Sequence, residues 1–216
     1  MVLSPLYLSA KLALVTTLTL MVLAPPLAYG LVFARCRGKS LLGALINLPL
    51  VLPPTVLGFY LLILMGPKGA VGRLWEAVLG APLIFTFAAL VMASLIYNLP
   101  FAIQPLKAAF EKIDRRLLES AYVLGLSPRA AFFKVMLPNA VSGLAAAAIL
   151  VFLHTMGEFG VILMVGGSIP GQTRVASIAI YEAVEALNYH QAGVICLTLV
   201  PLSYAVLLLL NRLTRS

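Results

Sequence analysis

QPLKAAFEKIDRRLLESAYVLGLSPRAAFFKVMLP, residues 104–138, is the long charged interval of an otherwise apolar chain. It gathers nine charged residues. The whole sequence of 216 residues is 62% hydrophobic and only 10% charged, with a mean hydropathy of +1.06. A water-soluble domain carries about 25% charged and 45–50% apolar residues. The composition therefore excludes a soluble globule, a disordered chain and a collagen-like one. It describes a polytopic, all-α membrane protein.

Working outward from this interval, apolar runs long enough to cross a bilayer fall at about 12–34, 41–65, 82–103, 139–165 and 192–210. Five spans are expected. The first lacks the basic start and the short apolar core of a secretory signal, so it is read as a retained helix. The net charge of +8 points to basic loops on the cytoplasmic side rather than to nucleic acid. With 104–138 in the cytoplasm, eleven Lys and Arg lie inside and four outside. The four are Lys11, Lys68, Arg73 and Arg174. This places the N-terminus outside and the C-terminus in the cytoplasm. No internal repeat or linker is visible, so residues 1–216 form one domain. Cys36 lies in a short basic loop and Cys196 in an apolar run. Neither a disulfide nor a metal site is expected.

The second run is irregular. LPLVLPPTVLG contains Pro49, Pro53 and Pro54. Proline removes a backbone donor and bends a helix. Such breaks persist in lipid only where protein or a water-filled cavity satisfies the freed carbonyls. Pro53 and Pro54 mark either a packed kink or a bend that lines a path. In the fourth run, Gly143 and Ala145–Ala148 permit close helix approach.

The charged interval is itself punctuated. Asp114 is a candidate N-cap for an amphipathic helix over 115–124, with Leu117, Leu118, Ala121 and Leu124 on one face. Gly125 suits a left-handed C-cap. Ser127 and Pro128 restart a helix as N-cap and first helical residue. Such a pair either docks a partner or rests on lipid headgroups. Leu117, Tyr122 and Leu126 are the apolar groups available to a partner groove. No GxxxxGK[ST] phosphate loop occurs, so no ATP site of that kind belongs to this chain.

Glu119-Ser120-Ala121, three residues, Gly125, nine residues and then Val135-x-Leu137-Pro138 resembles the EAA loop of bacterial ABC importer permeases. Ser120 and Val135 depart conservatively from Ala and Ile. The resemblance implies a type I importer transmembrane domain. Its coupling loop at about 107–138 docks a cytoplasmic ATP-binding subunit, with Glu119, Ser120, Ala121, Gly125, Leu126 and Pro128 as the contact and turn residues. Residues 154–193 (HTMGEFGVILMVGGSIPGQTRVASIAIYEAVEALNYHQAG) and 48–62 (LPLVLPPTVLGFYLL) are similar to the permeases of molybdate ABC transporters. The implied function is molybdate import, with sulfate or tungstate as the alternative and a secondary transporter as a more distant one. The implied assembly is a homodimer with two ATP-binding subunits, which carry ATP and Mg, and an external substrate-binding protein. The implied location is a bacterial or archaeal inner membrane. No cofactor, nucleic acid or catalytic residue is expected in this chain.

Read without the family, Glu158 in GEFG is a carboxyl within an apolar run. Such groups face the interior of a bundle. A bare carboxylate repels an oxyanion, so a structural role is favoured over gating, and Glu158 and Thr155 are kept as path candidates beside Pro53 and Pro54. His154 stands one turn before Glu158 and shares its face. It reads as a hydrogen-bonded interior residue. The outer-side segment about 166–190 opens with the GGSIPGQT turn, 166–173. That turn either offers amides to an anion or simply re-enters a surface helix over 174–187 capped by Thr173. Glu182 and Glu185 on this helix are either contacts for the binding protein or a solvated face.

Overall fold

The computed structural model describes residues 3–33 and 38–214. Arg35, Cys36, Arg37 and Arg215, used above for topology and cysteine chemistry, lie outside them. All regular structure among the described residues is helical. Three helices are long and apolar enough to cross a membrane, and five spans result when each of two bent pairs counts as one.

The first helix, α1, runs from Leu3 to Phe33, beginning well before the expected residue 12 and passing through Pro25 and Pro26. Its 31 residues span about 46 Å, more than the hydrocarbon core of about 30 Å. The expected second span divides into α2, Lys39–Val51, and α3, Pro54–Met65, bent by 114°. A further helix, α4, Ala70–Leu79, lies where the sequence reading placed only an outer loop. It is amphipathic over fewer than three turns, too short for its periodicity to stand out beside the long runs. It ends on Gly80, whose φ of 71° is left-handed.

Next, α5 extends from Phe87 to Lys112, starting later and ending nine residues deeper in the charged interval than the apolar run suggested. One long-range bond and one local bond delay the start. Phe85 sits at φ 61° with its N–H donating to the Val165 carbonyl at 3.0 Å. Thr86 then caps the helix, accepting from the Ala89 amide at 3.2 Å. The charged interval continues as α6, Arg115–Val123, and α7, Pro128–Ala131. A π-helical turn, Phe132–Met136, follows, and then the single turn α8, Leu137–Asn139. The fourth apolar run is not continuous. It forms α9, Val141–Gly157, and α10, Gly160–Gly166, separated at Glu158 and Phe159. Finally, α11 is Ala176–Glu185 and α12 is Tyr189–Thr214.

The core forms where α1, α5 and α9 pack on one another. Leu20, Ala24 and Ala28 of α1 meet Ala102, Leu106 and Phe110 of α5 and Ala147 and Val151 of α9. Small residues set the spacing, as lipid offers no hydrophobic drive between helices. A Cβ on Gly143 would fall 2.4 Å from the Ala109 Cβ and 2.9 Å from the Pro105 carbonyl oxygen. Neither neighbour can rotate away. Gly143→Val is expected to destabilise the bundle by about 1–3 kcal/mol, the usual range for overpacking. A lowered thermal denaturation midpoint in detergent would show it.

A second cluster joins Leu57 and Leu61 of α3 to Ala89 and Ala93 of α5 and Val161 and Val165 of α10. The helix α11 is not a freely solvated surface helix. Ile178, Ala179 and Ala183 are buried, and Ser9 of α1 accepts from the Ala176 amide at 2.9 Å. That bond supplies the N-cap which Val175 lacks.

Candidate functional site

Two helix breaks meet. At the first, Leu52 is extended (φ −73°, ψ 138°), as a residue before proline prefers. Pro53 and Pro54 lack the amides that would continue the helix, and Pro54 becomes the first residue of α3. At the second, Glu158 (φ −60°, ψ 134°) and Phe159 (φ −131°, ψ −72°) leave the helical region between Gly157 and Gly160. A Cβ on Gly160 would lie 3.1 Å from the Pro54 Cβ, so the breaks pack directly together. Beside them lies a cavity of about 500 Å³, bordered by Pro54, Thr55, Tyr97, His154, Glu158 and Gly160.

The polar groups freed at the second break are satisfied by neighbouring helices, the condition for broken backbone at membrane depth. The Glu158 side chain is fully buried. One carboxyl oxygen accepts from the Ser94 hydroxyl at 2.5 Å, and the other accepts from the Asn98 amide. Ser177 of α11 donates to the Glu158 carbonyl. Asn98 Nδ2 also donates to the Ser94 carbonyl at 2.9 Å. Its Oδ1 is therefore left to accept from His154 Nδ1, 2.9 Å away. In this arrangement His154 carries its proton on Nδ1. Its ring stacks on Phe101 with centroids 4.1 Å apart, and its Nδ1 lies 3.8 Å from Glu158.

Of the four path candidates, Pro54 and Glu158 border this cavity and Pro53 immediately precedes it. Thr155 does not. It is buried within α9, its carbonyl accepts from the Glu158 amide at 3.3 Å, and its hydroxyl has no partner among the described residues. The sequence reading missed Ser94, Tyr97 and Asn98. Polar residues at i and i+4 within an apolar run were the available signal, Ser94 and Asn98 being one turn apart.

The charged interval builds a helix pair. Asp114 Oδ1 accepts from the Arg116 amide at 2.9 Å, and Ser127 Oγ accepts from the Ala130 amide at 3.3 Å, each capping the helix that follows. Gly125 takes φ 82°, and Leu126 donates back to the Ala121 carbonyl at 3.0 Å. The expected apolar face is divided. Ala121 is buried and Leu118 packs on the core. Leu117, Tyr122, Val123 and Leu124 point outward, the last two 88% and 79% exposed. Glu119 and Ser120 are also exposed, and Leu126 is half-buried. Helical spacing alone did not say which of two adjacent apolar strips the bundle would cover.

At the opposite end, several of the turn amides are already used. Gln172, Thr173 and Arg174 all donate to the Ile169 carbonyl, at 3.1, 3.0 and 3.1 Å. Thr173 does not cap α11. It is buried, and its hydroxyl accepts from the Ile169 amide at 3.0 Å, closing the turn on itself. Amides so engaged are not available to an anion. Glu182 lies 2.7 Å from Arg174. Glu185 accepts from the Tyr181 hydroxyl at 2.5 Å and holds that phenol above its ordinary range.

Apolar spans with two broken members and an exposed amphipathic helix pair define a multi-pass membrane protein of the importer-permease fold. Two solved structures share it: the inward-facing MetNI methionine ABC transporter, with a TM-score of 0.77 and 19% identity covering 100% of this chain and 95% of that one, and a bacterial ABC transporter that imports alginate, with a TM-score of 0.80 and 17% identity covering 99% and 78%. The chain belongs to the family described as the binding-protein-dependent transport system inner membrane component, whose model matches residues 22–215. It is 49% identical over 205 residues to the molybdenum transport system permease protein ModB of Azotobacter vinelandii, covering 95% of this chain and 91% of that protein. It is 33% identical over 174 residues to a probable sulfate transport system permease protein, cysT, of Chlorella vulgaris, covering 81% and 65%.

Proposed function

We propose that this chain is the membrane-spanning subunit of an ATP-driven importer that carries molybdate into the cytoplasm. The 49% identity to a molybdenum permease across almost the whole chain carries the reading. The sulfate permease is less similar and is matched over a smaller share of its length. Two copies enclose the path, because one copy of this fold leaves its two breaks beside an open cavity rather than inside a closed channel. Two ATP-binding subunits, which hold ATP and Mg, dock on α6 and α7. An external binding protein delivers the anion at the end formed by α11, where Glu182 and Glu185 are the contact candidates. The excess of basic residues in and around 104–138 supports a cytoplasmic position for that interval, with the N-terminus outside.

In this reading the ATP-binding subunits move together on ATP binding and push α6 and α7 as a lever. Leu118 and Met136 pass the displacement to the core shared by α1, α5 and α9. The breaks at Pro53–Pro54 and Glu158–Phe159 let the outer and inner halves of their spans move separately. The carboxyl of Glu158, turned into α5, holds the break rather than facing the cargo.

The test is ATP hydrolysis by the purified complex in liposomes with the binding protein loaded with molybdate, tungstate or sulfate. Stimulation by molybdate and not by sulfate is expected. Stimulation by sulfate alone would overturn the cargo. Uptake on an ion gradient without an ATPase subunit would overturn the class. Docking is tested separately. Leu124→Asp places a charge on the exposed apolar surface at the C-terminal end of α6 and is expected to reduce copurification of the ATP-binding subunit at least about tenfold, as burying an unpaired charge costs several kcal/mol. Undiminished copurification would move the contact elsewhere.

A further inference from the structure

A cavity of about 590 Å³ lies at the α6 end of the bundle, between α2 and α5. Its polar lining is Lys39, Ser40 and Asn47 from α2 and Gln104, Lys107 and Glu111 from α5. The buried polar groups elsewhere on α5, Ser94 and Asn98, are engaged by Glu158, whereas those lining this cavity are only partly engaged by protein.

The hydrogen-bonding capacity of this lining is dominated by donors. Gln104 Nε2 donates to Asn47 Oδ1 at 2.6 Å. This engages the Asn47 acceptor and leaves its amide N–H groups available. Lys39 Nζ uses one donor on the Val32 carbonyl at 2.8 Å and keeps two. Lys107 stands 3.8 Å from Glu111, a loose i, i+4 contact with both side chains partly exposed. Two ammonium groups, the Asn47 amide N–H groups and the Ser40 hydroxyl thus stand against two acceptors, the Glu111 carboxylate and the Gln104 carbonyl oxygen. The complement of such a set is an anion with several acceptor oxygens.

The position matters as much as the charge. Leu31 and Ile46 also border the cavity, and both belong to the core cluster on which Leu118 of α6 packs. The cavity is therefore continuous with the packing that joins the helix pair to the bundle. It lies at the other end of the bundle from α11.

We propose that this cavity is a binding site for a tetrahedral oxyanion, held by Lys39 and Lys107 together with Asn47 and Gln104, through which the carried dianion leaves toward the cytoplasm. The use as an exit site rests on the cargo and orientation proposed above. The chemistry of the site does not. An anionic lipid phosphate presents the same oxygens as a free oxyanion, and the two sources are separable.

The experiment uses the complete complex in nanodiscs, without the binding protein. Equilibrium binding of radiolabelled molybdate is measured in phosphatidylcholine discs for the wild type, Lys39→Gln with Lys107→Gln, the corresponding double Arg variant, and Lys134→Gln, an exposed lysine outside the cavity. The double Gln variant is expected to bind at least about tenfold more weakly, while the Arg and Lys134 variants bind as the wild type does. Discs containing phosphatidylglycerol form the second arm. Copurified phosphatidylglycerol that displaces molybdate from the wild type and is lost from the double Gln variant identifies the headgroup as the occupant of the same site. Equal binding of molybdate and equal retention of lipid by the wild type and an assembled double Gln variant would overturn the proposal. Uptake by the wild type is measured alongside with binding protein present. Its failure overturns the cargo, whereas lysine-independent binding with uptake intact overturns only the site.

Discussion

Gly125→Val is expected to lower ATP-driven uptake more than tenfold while ATP hydrolysis continues. The reason is torsional. Gly125 holds φ 82°, and a Cβ there would meet nothing within 4 Å. No clash contributes, so the whole penalty comes from placing an L-residue in the left-handed region. That penalty is about 1–2 kcal/mol for an ordinary residue, and a β-branched one is a more severe outlier. The turn is closed by Gly125 donating to the Tyr122 carbonyl at 2.9 Å and by Leu126 donating to Ala121. Opening it changes the angle at which α6 meets α7, while their caps at Asp114 and Ser127 survive. A lever with a loose elbow still binds its driver but transmits less displacement. A graded series follows from the same physics: Asn tolerates the left-handed region and should retain most uptake, Ala should lose part, and Val most. Uptake by Val equal to that of the wild type, with the complex assembled, would remove Gly125 from coupling. Failure of the ATP-binding subunit to copurify with the Val variant would make the turn a docking element instead.

The elements that the sequence announces are those whose physics is local. Asp114, Gly125, Ser127 and Pro128 act within a few residues of themselves, and each caps or turns the chain as its type predicts. Apolar runs likewise mark the spans, because crossing lipid demands length and composition and little else. The breaks divide differently. Pro53 and Pro54 announce theirs, since a missing N–H is a property of the residue. The break at Glu158 is invisible to a hydropathy window, because it is caused by Ser94, Asn98 and Ser177 satisfying groups from 19 to 64 residues away in sequence. The exposed strip of α6 was hidden for the same reason. Leu117, Leu118, Ala121 and Leu124 are alike in hydropathy, and only the core that receives Leu118 and Ala121 separates them. The role of Thr173 depended on which amide was nearest in space. Tertiary partners, not propensity, decide each of these.

Glu158→Ala is expected to be the most damaging single change at the second break, lowering both stability and uptake. The substitution removes both acceptors of the network at once. The Ser94 hydroxyl and the Asn98 amide are buried, and each loses its carboxyl partner. An orphaned buried donor costs about 1–3 kcal/mol, and the removed side-chain atoms leave a void as well. Asn98 then has only the Ser94 carbonyl to fix its Nδ2, so its hold on His154 Nδ1 weakens. The expected readouts are a lower denaturation midpoint and uptake below about one tenth of the wild type, the scale set by 1.4 kcal/mol per tenfold. Glu158→Gln separates geometry from charge. Glutamine keeps the shape and one acceptor, but presents an NH2 group to a site that holds two donors. Ser94 adapts by accepting through its hydroxyl oxygen, whereas the Asn98 Nδ2 cannot. Gln is therefore expected to fall between the wild type and Ala in both readouts. A loss of uptake in Gln with stability unchanged would mean that the carboxyl acts on the cargo or the gate and not on the break. Stability and uptake falling together across Gln and Ala is the result expected of a residue whose work is to hold α9 and α10 at their angle beside Pro54.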